Sequence, residues 1–109
     1  MRFAVTGRHL EVSEAMKHYA EEKASRLNRF FDRIHSIEVV VQKQGVQHRV
    51  EMVVTTDHQD TFVGQVDAGD CYEAIDLVVD KLEAQLRRHK EKLRNRKHRT
   101  GSREETATD

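Results

Sequence analysis

The chain has 109 residues, of which 37% are hydrophobic and 35% charged, and its formal net charge is zero. This length supports one domain with one core. The sequence has no apolar run near the roughly 18 residues that a membrane-spanning helix needs. Its first residues also do not combine a basic segment with an apolar one, as a secretory signal does. The single cysteine, Cys71, excludes an internal disulfide. Together these features predict a cytoplasmic protein without a membrane partner.

The charges are segregated along the chain. No lysine or arginine occurs between Arg49 and Lys81, whereas that span contains eight acidic residues. By contrast, eight of the thirteen residues from Arg87 to Arg99 are basic, and Glu91 is the one acidic residue among them. We expect a dipolar molecule with one strongly positive surface, which favours a polyanionic partner in spite of the zero net charge.

The N-terminal third of the chain predicts a strand followed by a helix. Residues 2–7 alternate as in a strand, with Phe3 and Val5 on one face, Arg2, Ala4 and Thr6 on the other, and Gly7 at its end. Ser13 stands at an N-cap position, and Glu14 favours the positive end of the helix dipole that follows. Apolar residues then recur at helical spacing, which predicts a helix, and Ser36, which stands before the next β-branched run, marks its approximate end. These residues are Met16, Tyr19, Ala20, Ala24, Leu27, Phe30, Phe31 and Ile34.

Three strands and a long helix complete the predicted order β-α-β-β-β-α. The strands cover residues 36–43, 49–56 and 61–67, and the short turns between them favour antiparallel pairing. The last helix is predicted over residues 70–99, with Asp70 as its cap. Because each helix has one apolar stripe and each strand one apolar face, the sequence predicts an α+β two-layer sandwich, in which both helices pack on one face of a four-stranded sheet. Residues 1–99 would form this domain, and residues 100–109 a disordered tail.

Basic residues line both predicted helices beside the apolar stripes. The first row comprises Lys23, Arg26, Arg29 and Arg33, and the second comprises Lys81, Arg88 and Lys92. If the helices pack side by side, the two rows would line one groove or ridge between them, which suits a phosphate backbone. A solvated boundary explains the first row equally well, because Glu21 and Glu22 lie nearby. The density of charge on the last helix favours a polyanion.

Other site chemistries find little support in the sequence. The aromatic residues alternate in phase with the core residues, which argues against a base-stacking platform on the sheet. The seven histidines show no paired ligand spacing, and one cysteine cannot supplement them, so no metal site is predicted. There is also no glycine-rich phosphate loop. We therefore expect a binding module with no catalytic residue, metal or cofactor.

Several stretches of the chain resemble one known family. They are residues 5–7 (VTG), 11–16 (EVSEAM), 27–34 (LNRFFDRI) and, most specifically, 70–76 (DCYEAID) with 80–90 (DKLEAQLRRHK). These motifs resemble the ribosome hibernation-promoting factors, which are grouped with ribosome-associated inhibitor A and the older sigma-54 modulation proteins. The resemblance covers residues 1–97 without large gaps and has the same order of strands and helices.

The resemblance implies a cytoplasmic protein that binds the small ribosomal subunit when growth slows. It would occupy the channel used by messenger RNA and the A- and P-site transfer RNAs, and so stop translation. The family fold is similar to a double-stranded-RNA-binding domain with an added first strand, and its contacts to ribosomal RNA come from both helices. Carried over by position, these contacts fall on Lys23, Arg26, Arg29, Lys81, Arg88 and Lys92, with Arg87 and Lys90 as further candidates.

The chain also departs from the family pattern and leaves alternatives open. Ala84 stands where relatives usually have arginine, and Cys71 where they usually have methionine. The short, weakly acidic tail resembles the short forms that promote ribosome dimers with a small helper protein, and we expect a monomer off the ribosome. The alternatives are a double-stranded-RNA-binding module acting on free RNA, and a protein-binding regulator of transcription whose interface would be the acidic span 51–80.

Overall fold

The computed structural model describes residues 2–29, 33–57 and 60–98, and in the last helix it describes the side chains as far as Lys92. Strand β1 spans Arg2–Arg8, helix α1 spans Glu14–Ala24, and a 3₁₀ segment, Ser25–Arg29, follows directly. Strands β2, β3 and β4 span Ile34–Gln44, Gln47–Thr56 and Thr61–Ala68, and helix α2 spans Cys71–His98. The predicted element order is confirmed. Phe30, Phe31, Arg99, the tail 100–109 and the basic side chains beyond Lys92 lie outside the described residues.

The four strands form one sheet in the order β1-β2-β3-β4. β1 runs parallel to β2, whereas β2 with β3 and β3 with β4 are antiparallel. The connections explain this pattern, because a chain that crosses over through α1 can re-enter the sheet in its original direction, while a short turn reverses it. In the first of these turns Gly45 has a φ of 62°, which glycine adopts without steric cost. The predicted antiparallel meander is confirmed.

The core lies between the sheet and the two helices, which pack on the same face. α1 packs beside β1, and α2 covers β3 and β4. The largest completely buried side chains are Leu27, Ile37, Val39, Val41, Val50, Met52, Val54, Ile75, Val78, Val79, Leu82 and Leu86. On the outer face of the sheet, residues such as Glu38, Val53 and Gln65 are exposed or half-buried. The predicted α+β two-layer sandwich is confirmed.

The first helix is shorter than predicted. α1 ends at Ala24, the chain tightens into the 3₁₀ segment, and Ile34 belongs to β2 rather than to the helix. The hydroxyl of Ser25 donates to the carbonyl of Glu22 (2.7 Å) and helps to close the last turn. The apolar spacing misled the prediction because Ala24 and Leu27, both completely buried, are three residues apart, which fits a 3₁₀ turn as well as an α-helix.

Both helices begin where the sequence predicts. The side-chain oxygen of Ser13 accepts the backbone N–H of Met16 (3.1 Å) and so caps α1. Asp70 precedes the first residue of α2, and its backbone carbonyl accepts the N–H of Ala74 (3.0 Å). α1 therefore begins at the side-chain cap that the sequence indicates, and α2 begins directly after Asp70.

Helix α2 lies very close to strand β4 at Gly64. A Cβ atom built on Gly64 would collide with Cδ2 of Leu82, which is completely buried on α2. Glycine is required here by the close approach and not by its backbone conformation. This contact fixes how closely α2 approaches the edge of the sheet, and so positions the basic side chains that α2 carries.

Candidate nucleic-acid interface

The C-terminal part of α2 extends beyond the buried core, although its first turn still contacts the sheet through His89, whose ring centre lies 5.0 Å from that of Phe62. Leu86 is the last completely buried residue among the described side chains of this helix, which continues to His98. Twelve further residues at 1.5 Å each add about 18 Å of helix. Arg88, Lys90 and Lys92 on this extension are all exposed. The structure therefore presents three predicted RNA contacts on a projecting part of α2.

The face of α2 that meets α1 carries an acidic row, Asp76, Asp80 and Glu83. Nζ of Lys23 lies 3.6 Å from Oδ1 of Asp76. Nη2 of Arg26 lies 3.2 Å from Oδ1 of Asp80 and 2.8 Å from Oε1 of Glu83. Two residues predicted to contact RNA therefore also form ion pairs within the chain, and these pairs join the first helical region to α2.

Aromatic side chains complete the junction at its N-terminal end. The hydroxyl of Tyr19 donates to Oδ1 of Asp76 (2.8 Å), and the rings of Tyr19 and Tyr72 pack edge to face at 5.0 Å. Nζ of Lys23 lies 5.5 Å from the centre of the Tyr19 ring. The hydrogen bond to Asp76, with burial and neighbouring negative charge, raises the pKa of Tyr19. Tyr19 therefore stays protonated and acts as a hydrogen-bond donor to the acidic row.

Glu83 also contacts a second arginine. Its Oε2 accepts a hydrogen bond from Nη2 of Arg87 (2.9 Å), one turn further along α2. The side chain of Glu83 is 17% exposed, against 37% for Arg26 and 51% for Arg87. The hydrogen bond to Glu83 is the largest cause that raises the pKa of Arg26. One carboxylate thus lies between two guanidinium groups that come from different elements.

Lys81 lies on the opposite flank of α2, over strand β4. Its Nζ donates to the carbonyl oxygen of Gln65 (3.0 Å), and Nε2 of Gln85 donates to the carbonyl oxygen of Val63 (3.0 Å). Because β4 is an edge strand, these two side chains cover a part of the sheet that is otherwise open to pairing with another strand. Lys81 therefore has a structural contact in addition to any contact with RNA.

The predicted arrangement of the second basic row is wrong in one respect. Lys81 follows Asp76 by five residues, which places it about 140° around α2 from the face that meets α1. Arg88 and Lys92 follow Lys81 at helical spacing and share its flank. The second row is therefore real, but the acidic row, and not the second basic row, faces the first helical region.

The first row is also not one row on a helix. Only Lys23 lies in α1, since Arg26 and Arg29 belong to the 3₁₀ segment and Arg33 lies directly before β2. Cations therefore occupy both flanks of α2 instead of one groove between the helices. Arg29, Arg88, Lys90 and Lys92 are exposed and form no ion pair within the described part of the chain. The assignment of all eight residues to RNA contacts stays a prediction.

Sequence reasoning missed the acidic row as part of the site. Asp76, Asp80 and Glu83 are four and three residues apart, so they share one face of α2. This spacing could have indicated an ion-pairing face, but the partners are remote in sequence. Among the side chains described in residues 2–29, 33–57 and 60–92, no three His, Cys, Asp or Glu are grouped to hold a metal ion. No helix in these ranges is long and apolar enough to span a membrane.

The sequence and the fold can be compared with known proteins. Residues 3–94 match the family described as Sigma 54 modulation protein / S30EA ribosomal protein. The chain belongs to this family. Among its relatives in the S30EA family, the chain is 39% identical over 92 residues to a ribosome hibernation promoting factor of Azotobacter vinelandii, covering 84% of this chain and 85% of that protein. It is 32% identical over 94 residues to the one of Escherichia coli (strain K12), covering 86% of this chain and 98% of that protein.

Solved structures agree with the S30EA assignment. The crystal structure of the Thermus thermophilus Protein Y N-terminal domain superposes with a TM-score of 0.73 at 34% identity, covering 79% of this chain and 94% of that one. A ribosomal subunit interface protein from Coxiella burnetii superposes with a TM-score of 0.78 at 27% identity, covering 84% of this chain and 99% of that one. The resemblance first seen in short motifs is confirmed over most of the chain.

Proposed function

We propose that this S30EA-family chain is a ribosome hibernation factor that acts in the cytoplasm. It binds the small ribosomal subunit in the channel of messenger RNA and the A- and P-site transfer RNAs, and it silences translation by occupying that space when growth slows. The observation that carries the proposal is the projecting half of α2, with Arg88, Lys90 and Lys92 exposed in a chain whose relatives are named for ribosome hibernation. The mechanism requires no catalytic step.

The distribution of cations supports a binding surface along α2, the basic ridge, which comprises Arg26, Arg29, Arg87, Arg88 and Lys92. Arg88 and Lys92 lie on one flank of α2, and Arg26, Arg29 and Arg87 lie on or near the other. A helix with cations on both flanks can contact phosphates on two sides when it enters a channel lined with RNA. The ridge stays positively charged in spite of the ion pairs within the chain, because the part of α2 beyond Leu86 has few acidic residues.

The test of this proposal is the salt dependence of ribosome binding. Four to six phosphate contacts release enough counterions to give a log–log slope of roughly −3 to −5 for the binding constant against salt concentration. We expect this slope when the wild-type protein cosediments with purified small ribosomal subunits over a potassium chloride series at constant magnesium. A flat response contradicts electrostatic binding to RNA.

Two parallel measurements separate hibernation from the two alternative functions, binding to free double-stranded RNA and binding to a protein partner as a regulator of transcription. Equal affinity for a free RNA duplex of about 16 base pairs, the length that a double-stranded-RNA-binding domain spans, would favour action on free RNA. A complex from cell extract that survives nuclease treatment would favour a protein partner bound by the acidic span 51–80. Hibernation requires preference for the small subunit and loss of the complex after nuclease treatment.

We also propose that the protein acts as a monomer that promotes ribosome dimers together with a small helper protein. The expected result is a ribosome dimer peak in sucrose gradients of stationary-phase cells, which disappears when either protein is absent. If cells that contain both proteins show only single ribosomes while their translation is still silenced, the dimer proposal is contradicted and the silencing proposal stands.

A further inference from the structure

Glu83 holds two arginines from different parts of the chain side by side. Arg26 comes from the 3₁₀ segment and Arg87 from the extension of α2, and each places Nη2 within 3 Å of one oxygen of the Glu83 carboxylate, at 2.8 Å and 2.9 Å. Two guanidinium groups bound to the same carboxylate repel each other. The shared carboxylate offsets this repulsion and fixes both groups in one place.

The exposure of these three side chains shows which of them a ligand can reach. Glu83 is 17% exposed, whereas Arg26 is 37% and Arg87 51% exposed. Glu83 is therefore the least accessible of the three side chains, and both arginines stay partly open to solvent, Arg26 beside the exposed carboxylate of Asp80. Arg26 uses only Nη2 for its bonds to Glu83 and Asp80 within the described residues, so its Nε and Nη1 donors stay available.

We propose that Arg26, Glu83 and Arg87 form a preorganised site for one phosphate group of ribosomal RNA, in which Glu83 is the positioning residue. The site rests on the proposed function and deepens it by joining residues that the sequence placed on separate helices. A phosphate oxygen accepts hydrogen bonds from both guanidinium groups, in the geometry for which arginine is suited. Because Glu83 already orders both side chains, binding costs less side-chain entropy.

The direction in which Glu83→Gln changes the affinity for RNA separates this positioning role from simple charge neutralisation. If Glu83 only neutralised nearby cations, Glu83→Gln would strengthen RNA binding by removing a negative charge. If Glu83 positions two arginines, the same substitution weakens binding in spite of the gain in positive charge. Glu91→Gln is the matched control, because Glu91 is exposed on the same helix and the change in charge is identical.

The experiment measures the affinity of the full chain for small ribosomal subunits and for a free RNA duplex over a salt series. We expect Glu83→Gln to weaken binding about three- to tenfold and to reduce the log–log slope by roughly one contact. We expect Glu91→Gln to bind as tightly as the wild type or more tightly. In an Arg87→Gln background, Glu83→Gln should have little further effect, since the two residues act as a unit.

The arginine itself gives a second variant that does not alter the junction charge. Arg87→Lys keeps the positive charge on a half-exposed side chain but removes the planar group, and we expect a similar loss of affinity. Tighter binding by Glu83→Gln, or wild-type binding by Arg87→Lys, overturns the proposed site while the hibernation function stands. Binding of the wild type to the duplex but not to subunits overturns the function, and the variants then test the site on the duplex. Binding to neither probe overturns both proposals.

Discussion

We expect reversal of Arg88 and Lys92 to glutamate to abolish ribosome binding and to leave the fold intact. Both residues are exposed on the part of α2 beyond Leu86, and neither forms an ion pair within the described residues. A charge-assisted contact contributes about tenfold or more to affinity, so the loss of two contacts lowers affinity by at least about 10²-fold. Repulsion between the new carboxylates and RNA adds to this loss. Cosedimentation with small subunits measures the affinity, and far-UV circular dichroism measures the fold.

The matched control is Arg8→Glu with Lys43→Glu. These residues are also exposed, they lie at one end of the sheet on the neighbouring strands β1 and β2, and the change in net charge is the same. We expect this variant to cosediment like the wild type at moderate salt. Equal losses in both variants would mean that net charge alone decides binding, and wild-type cosedimentation of the Arg88 and Lys92 variant would refute the assignment of these residues.

We expect replacement of Leu82 by alanine to lower the free energy of unfolding by about 2–5 kcal/mol. Leu82 is completely buried on α2 and packs directly on Gly64 of β4, where the two elements approach most closely. A domain of this size is stable by only about 5–15 kcal/mol, so a loss of this magnitude is large. Urea denaturation followed by circular dichroism measures the loss. We expect the loss of stability in Leu82→Ala to weaken ribosome binding as well, because the packing of α2 positions the basic ridge.

Leu77→Ala is the control on the same helix. Leu77 is 43% exposed, so the same truncation removes far less buried surface, and we expect a change below about 1 kcal/mol. Comparable losses for the two leucines would contradict the assignment of Leu82 to the core contact between α2 and β4. A normal unfolding midpoint for Leu82→Ala would do the same.

The fold was predictable because burial leaves a periodic pattern in the chain. Ile37, Val39 and Val41 stand at every second position of β2, as Val50, Met52 and Val54 do in β3, and all six are buried on one face of the sheet. The end of α1 was not predictable in this way, since Ala24 and Leu27 satisfy two kinds of helix. A local pattern determines which face is buried, but not where a helix tightens.

The eight candidate residues were predictable as cations but not as a surface. Lys23 and Arg26 meet Asp76 and Glu83, which are more than fifty positions away in sequence, and Arg26 and Glu83 are 57 apart. Lys81 instead meets the backbone of β4. A helical wheel gives the angle of each residue around its own axis, but not the side from which the neighbouring element approaches.

The sequence by itself determined the strand and helix order, the α+β class, the buried faces, the family and the excess of positive charge at the end of α2. These properties depend on residue type and short-range spacing. Only the tertiary structure decided that acidic residues face the first helical region, that the cations occupy both flanks of α2, and that Glu83 joins Arg26 to Arg87. These properties depend on how distant segments pack, which is set by contacts such as that between Gly64 and Leu82.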